Sequence, residues 1–237
     1  MLINHAKISS VLMTILHQNA DTKPEIVETI QGEGVEAGVP AFFVRFQGCN
    51  VHCFFCDEKE TWVKRDHNSI VMDPTAIITQ LEEMNPLLKR VVITGGEPTE
   101  QDLAPLIESL IHKSYRVSVE TAATGKFTSD LFKEYSEKIF ITFSPKEVYS
   151  KSSKIADERI WQRASELKFV IANDEGVEYL LTTVIAKLKE ANNDCPIFLV
   201  PDWYNQDAMK LKVLELCRQY PGRLRMGWQL HKILDMP

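Results

Sequence analysis

Strand-like and helix-like segments alternate along this 237-residue chain, and that alternation restricts the folds it can adopt. Runs rich in β-branched and aromatic residues predict seven strands, at residues 41–47, 90–94, 116–120, 139–143, 167–172, 196–200 and 224–230. Between several of these runs, apolar residues recur at helical spacing. Strands that alternate with helices build parallel sheets through βαβ connections. We therefore predict an α/β fold, a partial βα barrel of about six or seven parallel strands.

The chain has no long linker and no internal repeat, so residues 25–237 are predicted to form one domain. Residues 1–24 are predicted to be an N-terminal extension. An apolar run there faintly resembles a signal peptide, but its apolar residues, from Ile8 to Leu16, fall at helical spacing and no small-residue cleavage site follows. A short amphipathic helix or a poorly ordered extension is the favoured interpretation.

The composition is that of an ordinary globular protein, with 44% hydrophobic and 25% charged residues. The net charge of −6 argues against a protein whose main task is to grip nucleic acid. The sequence contains no apolar run long enough to span a membrane. Neither nucleic acid nor a membrane is therefore expected as a partner.

Polar and glycine-rich residues follow the predicted strands where each strand ends. Cys49 follows the first strand, Gly95-Gly96-Glu97 the second, Glu120 the third and Ser144 the fourth. In βα barrels the carboxyl ends of the strands meet at one face, where active sites are built. These residues are therefore predicted to share a site.

Three cysteines in this region, Cys49, Cys53 and Cys56, have the spacing C-x3-C-x2-C. A closed metal site normally has four protein ligands, so three thiolates indicate an iron–sulfur cluster with one iron open to a small molecule. The alternative is a structural zinc site completed by His52 or a distant residue. Cys195 and Cys217 are predicted to be core residues.

With these cysteines at the end of the first barrel strand, the chain resembles the radical S-adenosylmethionine superfamily. The segment Gly95-Gly96-Glu97-Pro98 resembles the GGEP element of that superfamily. The resemblance implies a partial barrel of the radical S-adenosylmethionine type and a 4Fe–4S cluster held by three cysteines. It also implies that S-adenosylmethionine binds the open iron and is cleaved to a 5′-deoxyadenosyl radical.

A narrower resemblance is to the 7-carboxy-7-deazaguanine synthases of the queuosine and 7-deazapurine pathway. The matching segments are residues 29–34, 38–41, 43–49, 56–57, 61–62, 91–98, 144–146 and 229–232. That family converts 6-carboxy-5,6,7,8-tetrahydropterin by hydrogen abstraction, ring contraction and loss of ammonia. The resemblance also implies a homodimer and a flavodoxin-type electron donor. Because its cluster is sensitive to oxygen, the protein is expected in the reducing cytoplasm.

The family's functional residues transfer to matching positions of this chain. The substrate contacts implied are Ile30, Gln31, Gly32, Glu33, Arg45, Thr94, His231 and the terminal carboxylate of Pro237. The cofactor contacts implied are Phe55, Asp57, Gly96, Glu97, Glu120, Ser144, Pro145 and Lys146. The residues themselves support one of these roles, since an arginine inside the apolar strand 42–46 needs a buried anionic partner.

The chain departs from the family pattern at three places. Glu58 stands where the family usually has the Thr or Ser that helps to bind Mg²⁺, and a carboxylate is still a hard oxygen ligand for this ion. The family's Glu-Thr-Ser-Gly run appears as residues 120–123, Glu-Thr-Ala-Ala, and Val200 replaces a frequent glutamine.

Two other functions stay open on sequence grounds. One is an activating enzyme of the same superfamily, which takes a hydrogen atom from a protein glycine. The residues around Gln31 and Arg45 speak against it. The other is a noncatalytic zinc-binding module.

Overall fold

The computed structural model describes residues 14–63, 68–125, 137–150 and 155–236. Its ten strands belong to one sheet. They are β1 (Thr14–His17), β2 (Ile26–Ile30), β3 (Pro40–Phe46), β4 (Ser69–Met72), β5 (Arg90–Gly95), β6 (Arg116–Thr121), β7 (Ile139–Phe143), β8 (Glu166–Ile171), β9 (Ile197–Pro201) and β10 (Leu224–Met226).

The helices of the described residues lie mainly between the parallel strands. They are α1 (Pro74–Met84), α2 (Ala104–His112), α3 (Ile160–Arg163), α4 (Asp174–Tyr179), α5 (Ile185–Glu190), α6 (Gln206–Gln219) and α7 (Leu230–Ile233). A π-helical stretch, Leu180–Val184, joins α4 to α5. The first helix begins as the sequence indicates, because the Asp73 side chain accepts a hydrogen bond from the Ala76 amide at 2.9 Å and Pro74 takes the first position.

The strands follow the order β10-β9-β8-β7-β6-β5-β3-β1-β4, and β2 pairs with β3. From β10 to β3 all neighbours are parallel, which gives seven parallel strands and confirms the predicted partial βα barrel. The central residues of the parallel strands are buried, and in β5 Val91, Val92 and Ile93 are fully buried. The antiparallel strands β1, β2 and β4 complete one side of the sheet.

The structure corrects the prediction for the end of the N-terminal extension. Residues 14–17 are not helical and do not lie outside the sheet, because β1 pairs with both β3 and β4 and Leu16 is fully buried. Residues 1–13 of the predicted extension lie outside the described residues.

The last predicted strand, 224–230, is also shorter than expected. It ends at Met226, and Leu230 begins helix α7 instead. The turn between them passes close to β9, since the Gly227 amide donates to the Leu199 carbonyl at 2.8 Å.

Among the described residues, no helix is both long enough and apolar enough to cross a membrane.

Candidate active site

The carboxyl ends of the parallel strands surround a cavity of about 590 Å³. Sixteen of the predicted site residues line it: Gln31, Glu33, Arg45, Cys49, Cys53, Phe55, Cys56, Asp57, Glu58, Thr94, Gly96, Glu97, Glu120, Ser144, Lys146 and His231. The structure therefore brings most of the predicted residues together, although they come from segments separated by up to two hundred positions in the chain.

Three described residues of the predicted set, Ile30, Gly32 and Pro145, do not line the cavity. Ile30 pairs with Pro40 in the sheet, and Pro145 is buried. Gly32 contacts the C-terminal helix, since a Cβ atom there would lie 2.2 Å from His231 Nδ1. Glycine thus allows α7 to close against the segment after β2. Pro237 lies outside the described residues.

The cysteine loop is fixed by hydrogen bonds from both sides. The Cys49 amide donates to the Trp62 carbonyl at 3.1 Å, and the Cys56 amide donates to the Cys53 carbonyl at 3.1 Å. The sulfur atoms also accept hydrogen bonds, Cys49 Sγ from the Val51 amide and Cys56 Sγ from the Trp62 indole, both at 3.4 Å. Such N–H···S bonds stabilise thiolates and tune the potential of a cluster bound to them.

The surroundings of these thiols are apolar. The three cysteines pack with Val51 and Ala122 in a small apolar group separate from the main core. Burial raises the pKa of the Cys49 thiol to about 11 and raises that of Cys53, so metal binding would have to displace their protons.

In the described residues, no three His, Cys, Asp or Glu side chains are arranged to hold one metal ion. His52, the zinc ligand considered above, stacks on the Trp62 ring with the ring centroids 4.6 Å apart.

Two consecutive glycines bring the end of β5 against the cysteine loop. Gly95 has a φ of +124°, and a Cβ atom there would lie 2.3 Å from the Phe46 carbonyl oxygen. A Cβ atom on Gly96 would lie 2.0 Å from the Gly48 carbonyl oxygen. Both positions therefore require glycine, and the close approach places the Gly-Gly-Glu-Pro segment beside the cysteines.

The next residue, Glu97, is buried and joins the ends of two strands. Its carboxylate accepts hydrogen bonds from the Thr99 amide at 3.1 Å and from the Ala122 amide at 2.7 Å, and also from the Thr121 hydroxyl. Burial raises the pKa of Glu97 although these donors favour its ionised form. In this structure, the carboxylate holds β6 beside the cysteine loop.

Arg45 has the anionic partners that its place in an apolar strand requires. Its Nε lies 2.6 Å from Glu25 Oε1, and its Nη1 lies 3.2 Å from Glu58 Oε1. Burial opposes the charge of Arg45, but the two carboxylates outweigh it and raise the pKa of the guanidinium. A guanidinium has five N–H donors, so donors remain for a bound ligand.

Strand β8 contributes a lysine to the cavity that the sequence interpretation missed. Lys168, in β8, contacts Glu33 closely and lies 3.5 Å from Glu120 Oε2. Glu120 also accepts hydrogen bonds from Gln31 Nε2 at 3.0 Å and from the Thr94 hydroxyl at 3.3 Å. The strand around Lys168 is apolar, so the reasoning that singled out Arg45 could have identified this lysine too.

Further charges lie near the cysteine loop. Asp57 is paired with Lys232 at 2.5 Å, and this contact lowers the pKa of the Asp57 carboxyl although burial opposes it. Burial lowers the pKa of the Lys146 ammonium, which lies 5.2 Å from the centre of the Phe55 ring. Burial also lowers the pKa of His231. The Ser144 hydroxyl, just after β7, donates to the Lys168 carbonyl in β8 at 2.8 Å. This bond links the end of β7 to β8.

Comparison with known proteins agrees with this geometry. The sequence profile of the radical SAM superfamily matches residues 43–192. A 7-carboxy-7-deazaguanine synthase from Synechocystis sp. is 32% identical over 229 residues, which are 96% of this chain and 97% of that protein. The synthase from Escherichia coli strain K12 is 30% identical and covers 90% of this chain and 97% of its own length.

A solved structure, that of QueE from Escherichia coli, has the same fold. The two chains superpose with a TM-score of 0.72 and 27% sequence identity, over 90% of this chain and 93% of QueE. The profile match, the identity along nearly the whole sequence and the shared fold lead to one conclusion: the chain belongs to the radical S-adenosylmethionine superfamily and, within it, to the family of the 7-carboxy-7-deazaguanine synthases.

Proposed function

We propose that this protein is a radical S-adenosylmethionine carbon–nitrogen lyase. It converts 6-carboxy-5,6,7,8-tetrahydropterin to 7-carboxy-7-deazaguanine with loss of ammonia, a step of queuosine and 7-deazapurine biosynthesis. The observation that carries the proposal is one cavity lined both by the three cysteines and by Gln31, Glu33, Arg45 and Thr94. A cofactor site and a polar substrate site are thereby adjacent.

The cofactor part of the site consists of the cysteine loop and the ends of β5 and β7. Cys49, Cys53 and Cys56 would hold a 4Fe–4S cluster. Bound together, the cluster and S-adenosylmethionine supply hydrogen-atom abstraction. The residues proposed to bind S-adenosylmethionine are Phe55, Asp57, Gly96, Glu97, Ser144, Pro145 and Lys146. The chain's own contribution is to position the nucleoside and to exclude water from it.

The substrate part lies between β2, β3 and α7. Arg45 has free donors for the pterin carboxylate and is already fixed by Glu25 and Glu58. Gln31, Glu33 and Thr94 offer donors and acceptors for the ring, and Ile30 and Gly32 shape the segment that carries them. His231, a proposed substrate contact, lies beside Gly32 and lines the cavity, and Pro237 is proposed to close the cavity.

Other properties are proposed from family membership. Mg²⁺ would assist substrate binding, with Glu58 as an oxygen ligand. A flavodoxin-type protein would supply electrons, and two chains would form a homodimer. The cluster's sensitivity to oxygen favours the cytoplasm as the protein's location.

Anaerobic turnover tests the proposed function. Reconstituted protein with reductant, S-adenosylmethionine and the tetrahydropterin should release 5′-deoxyadenosine, ammonia and 7-carboxy-7-deazaguanine. Cys53→Ala should abolish all three products, whereas Cys217→Ala, at a cysteine on helix α6 away from the cavity, should retain them. Cleavage of S-adenosylmethionine without change to the pterin would favour an activating enzyme. Zinc without iron or sulfide in the anaerobic protein would favour the zinc module.

A further inference from the structure

Lys168 is an ammonium group in the wall of the cavity, and its position in the sheet is unusual. It lies in β8 between Leu167 and Phe169, which are both fully buried. Its own side chain is 15% exposed and faces the cavity. A lysine this deep needs charged partners, because burial of an unpaired ammonium is costly.

Two carboxylates provide that partnership. Glu33 comes from the segment after β2 and contacts Lys168 Nζ closely, and Glu120 Oε2 from β6 lies 3.5 Å from the same atom. The triad of Lys168, Glu33 and Glu120 thus joins three separate segments of the chain. It carries one positive and two negative charges.

The lysine favours the ionised form of Glu120. Burial opposes the charge of Glu120, but Lys168 and the hydrogen bonds from Gln31 and Thr94 outweigh it and lower the pKa of Glu120. Without the ammonium, Glu120 would lose the cation that most favours its ionised form, and a buried carboxylate without a cation takes up a proton more readily. A protonated carboxyl donates a hydrogen bond where an ionised one accepts.

The hydrogen-bond partners of Glu120 indicate which ligand these carboxylates bind. Gln31 and Thr94, which donate to it, are both proposed substrate contacts. The family resemblance implied that Glu120 contacts the cofactor, and on these partners we infer instead that it contacts the substrate. A pterin carries an amino-pyrimidinone ring with several N–H donors. Ionised carboxylates are strong acceptors for such donors.

We propose that Lys168 is a positioning residue for the pterin, and that its ammonium fixes the carboxylates of Glu33 and Glu120 as acceptors for the N–H groups of the amino-pyrimidinone ring. The inference rests on the proposed function, because it names how the same cavity recognises the same substrate. Glu166, Lys146, Asp57 and His231 are the other charged or titratable groups whose charges act on Lys168 or are acted on by it.

Binding to the reconstituted, unreduced enzyme separates this role from the chemistry of turnover. With S-adenosylmethionine present, calorimetry measures the Kd of the tetrahydropterin for the wild type and for Lys168→Met, Lys168→Arg and Lys212→Met. Loss of a hydrogen bond to a charged group corresponds to roughly a 10- to 100-fold change. Lys168→Met should therefore raise Kd by at least about tenfold, and Lys168→Arg, which keeps the charge, should recover most of the affinity. Lys212→Met removes an exposed lysine paired with Asp174 and should match the wild type.

Two further measurements keep the inference falsifiable if Lys168→Met does not fold. The Kd of S-adenosylmethionine reports whether each variant is intact. An analogue of the substrate without its 2-amino group should bind the wild type about tenfold more weakly or worse. Equal binding of this analogue, a Kd within twofold for an intact Lys168→Met, or no recovery in an intact Lys168→Arg would overturn the role. Failure of the proposed function differs from all of these, since the wild type itself would then not turn over the pterin.

Discussion

At the scale of single residues, Arg45 links the cysteine loop to the amino-terminal part of the sheet. Glu58 follows the last cysteine by two positions, and Glu25 precedes β2. Both carboxylates contact the same guanidinium. On its other side, Glu25 Oε2 lies 3.6 Å from His17 Nε2 in β1. A movement of Glu58 would therefore disturb the side chain proposed to bind the substrate carboxylate.

Glu58 is accordingly proposed to act on two cations, Arg45 and Mg²⁺. Glu58→Gln replaces one carboxylate oxygen with an amide nitrogen and removes the negative charge, so the Mg²⁺ concentration that gives half-maximal activity should rise by about tenfold. Activity measured against Mg²⁺ concentration checks this, with the exposed neighbour Glu60→Gln as the control. An unchanged dependence on Mg²⁺ would show that Glu58 serves Arg45 alone.

Arg45 and Lys168 also show how far sequence reasoning reaches at this scale. A charged residue inside an apolar strand predicts a buried partner, and this rule identified Arg45. The same rule holds for Lys168, but a local pattern cannot identify which residue is the partner of the lysine. Glu33 is 135 positions from Lys168 in the chain, and only the folded sheet brings the two together.

At the scale of elements, the seven parallel strands were predictable and the three antiparallel ones were not. The centre of β5, Val91-Val92-Ile93, is an uninterrupted apolar run that is fully buried, as is typical of parallel strands. Strand β1 contains only four residues, Thr-Ile-Leu-His, whose apolar positions also continue a helical stripe. Its conformation comes from pairing with β3 and β4, which no local pattern encodes.

Strand β1 is expected to stabilise the sheet beside Arg45. Leu16 is fully buried, so Leu16→Ala should lower stability by about 2–5 kcal/mol, or the melting temperature by roughly 5–15 °C. Val71 lies in the adjacent strand β4 and is 52% exposed, so Val71→Ala should lower the melting temperature far less. Thermal unfolding of the reconstituted enzyme makes the comparison. Equal melting temperatures for wild type and Leu16→Ala would mean that β1 is not part of the cooperative structure.

At the scale of the whole molecule, residues 31–36 connect the strands through the interior of the partial barrel. Their contacts form two levels, an upper level at the cavity and a lower level deeper in the barrel. At the cavity, Gln31 donates to Glu120 and Glu33 pairs with Lys168. Two residues earlier in the same strands, Ser118 donates to Glu36 at 2.9 Å. Glu166 accepts from the Val35 amide at 2.8 Å.

The family resemblance implied three residues of the upper level as site residues, Gln31, Glu33 and Glu120, but it implied neither Lys168 nor any residue of the lower level. Glu36 resembles a surface residue in a glycine-rich turn when only its neighbours are considered. In the fold, its side chain is 11% exposed and contacts Arg90 of β5 as well as Ser118 of β6. These partners are 54 and 82 positions away, so the contact depends on the assembled barrel.

Substitutions at the two levels should have different effects, on stability at the lower level and on pterin binding at the upper level. Glu36→Gln removes a largely buried charge from Arg90 without touching the cavity, so it should lower stability by about 1–3 kcal/mol, a fall in melting temperature of roughly 2–12 °C. The Kd of the pterin should stay within about twofold of the wild type, in contrast to the Lys168→Met value. Glu28→Gln, at an exposed acid of β2, is the control for loss of a charge. A Glu36→Gln enzyme with normal stability but weak pterin binding would show instead that the lower level, too, belongs to the substrate site.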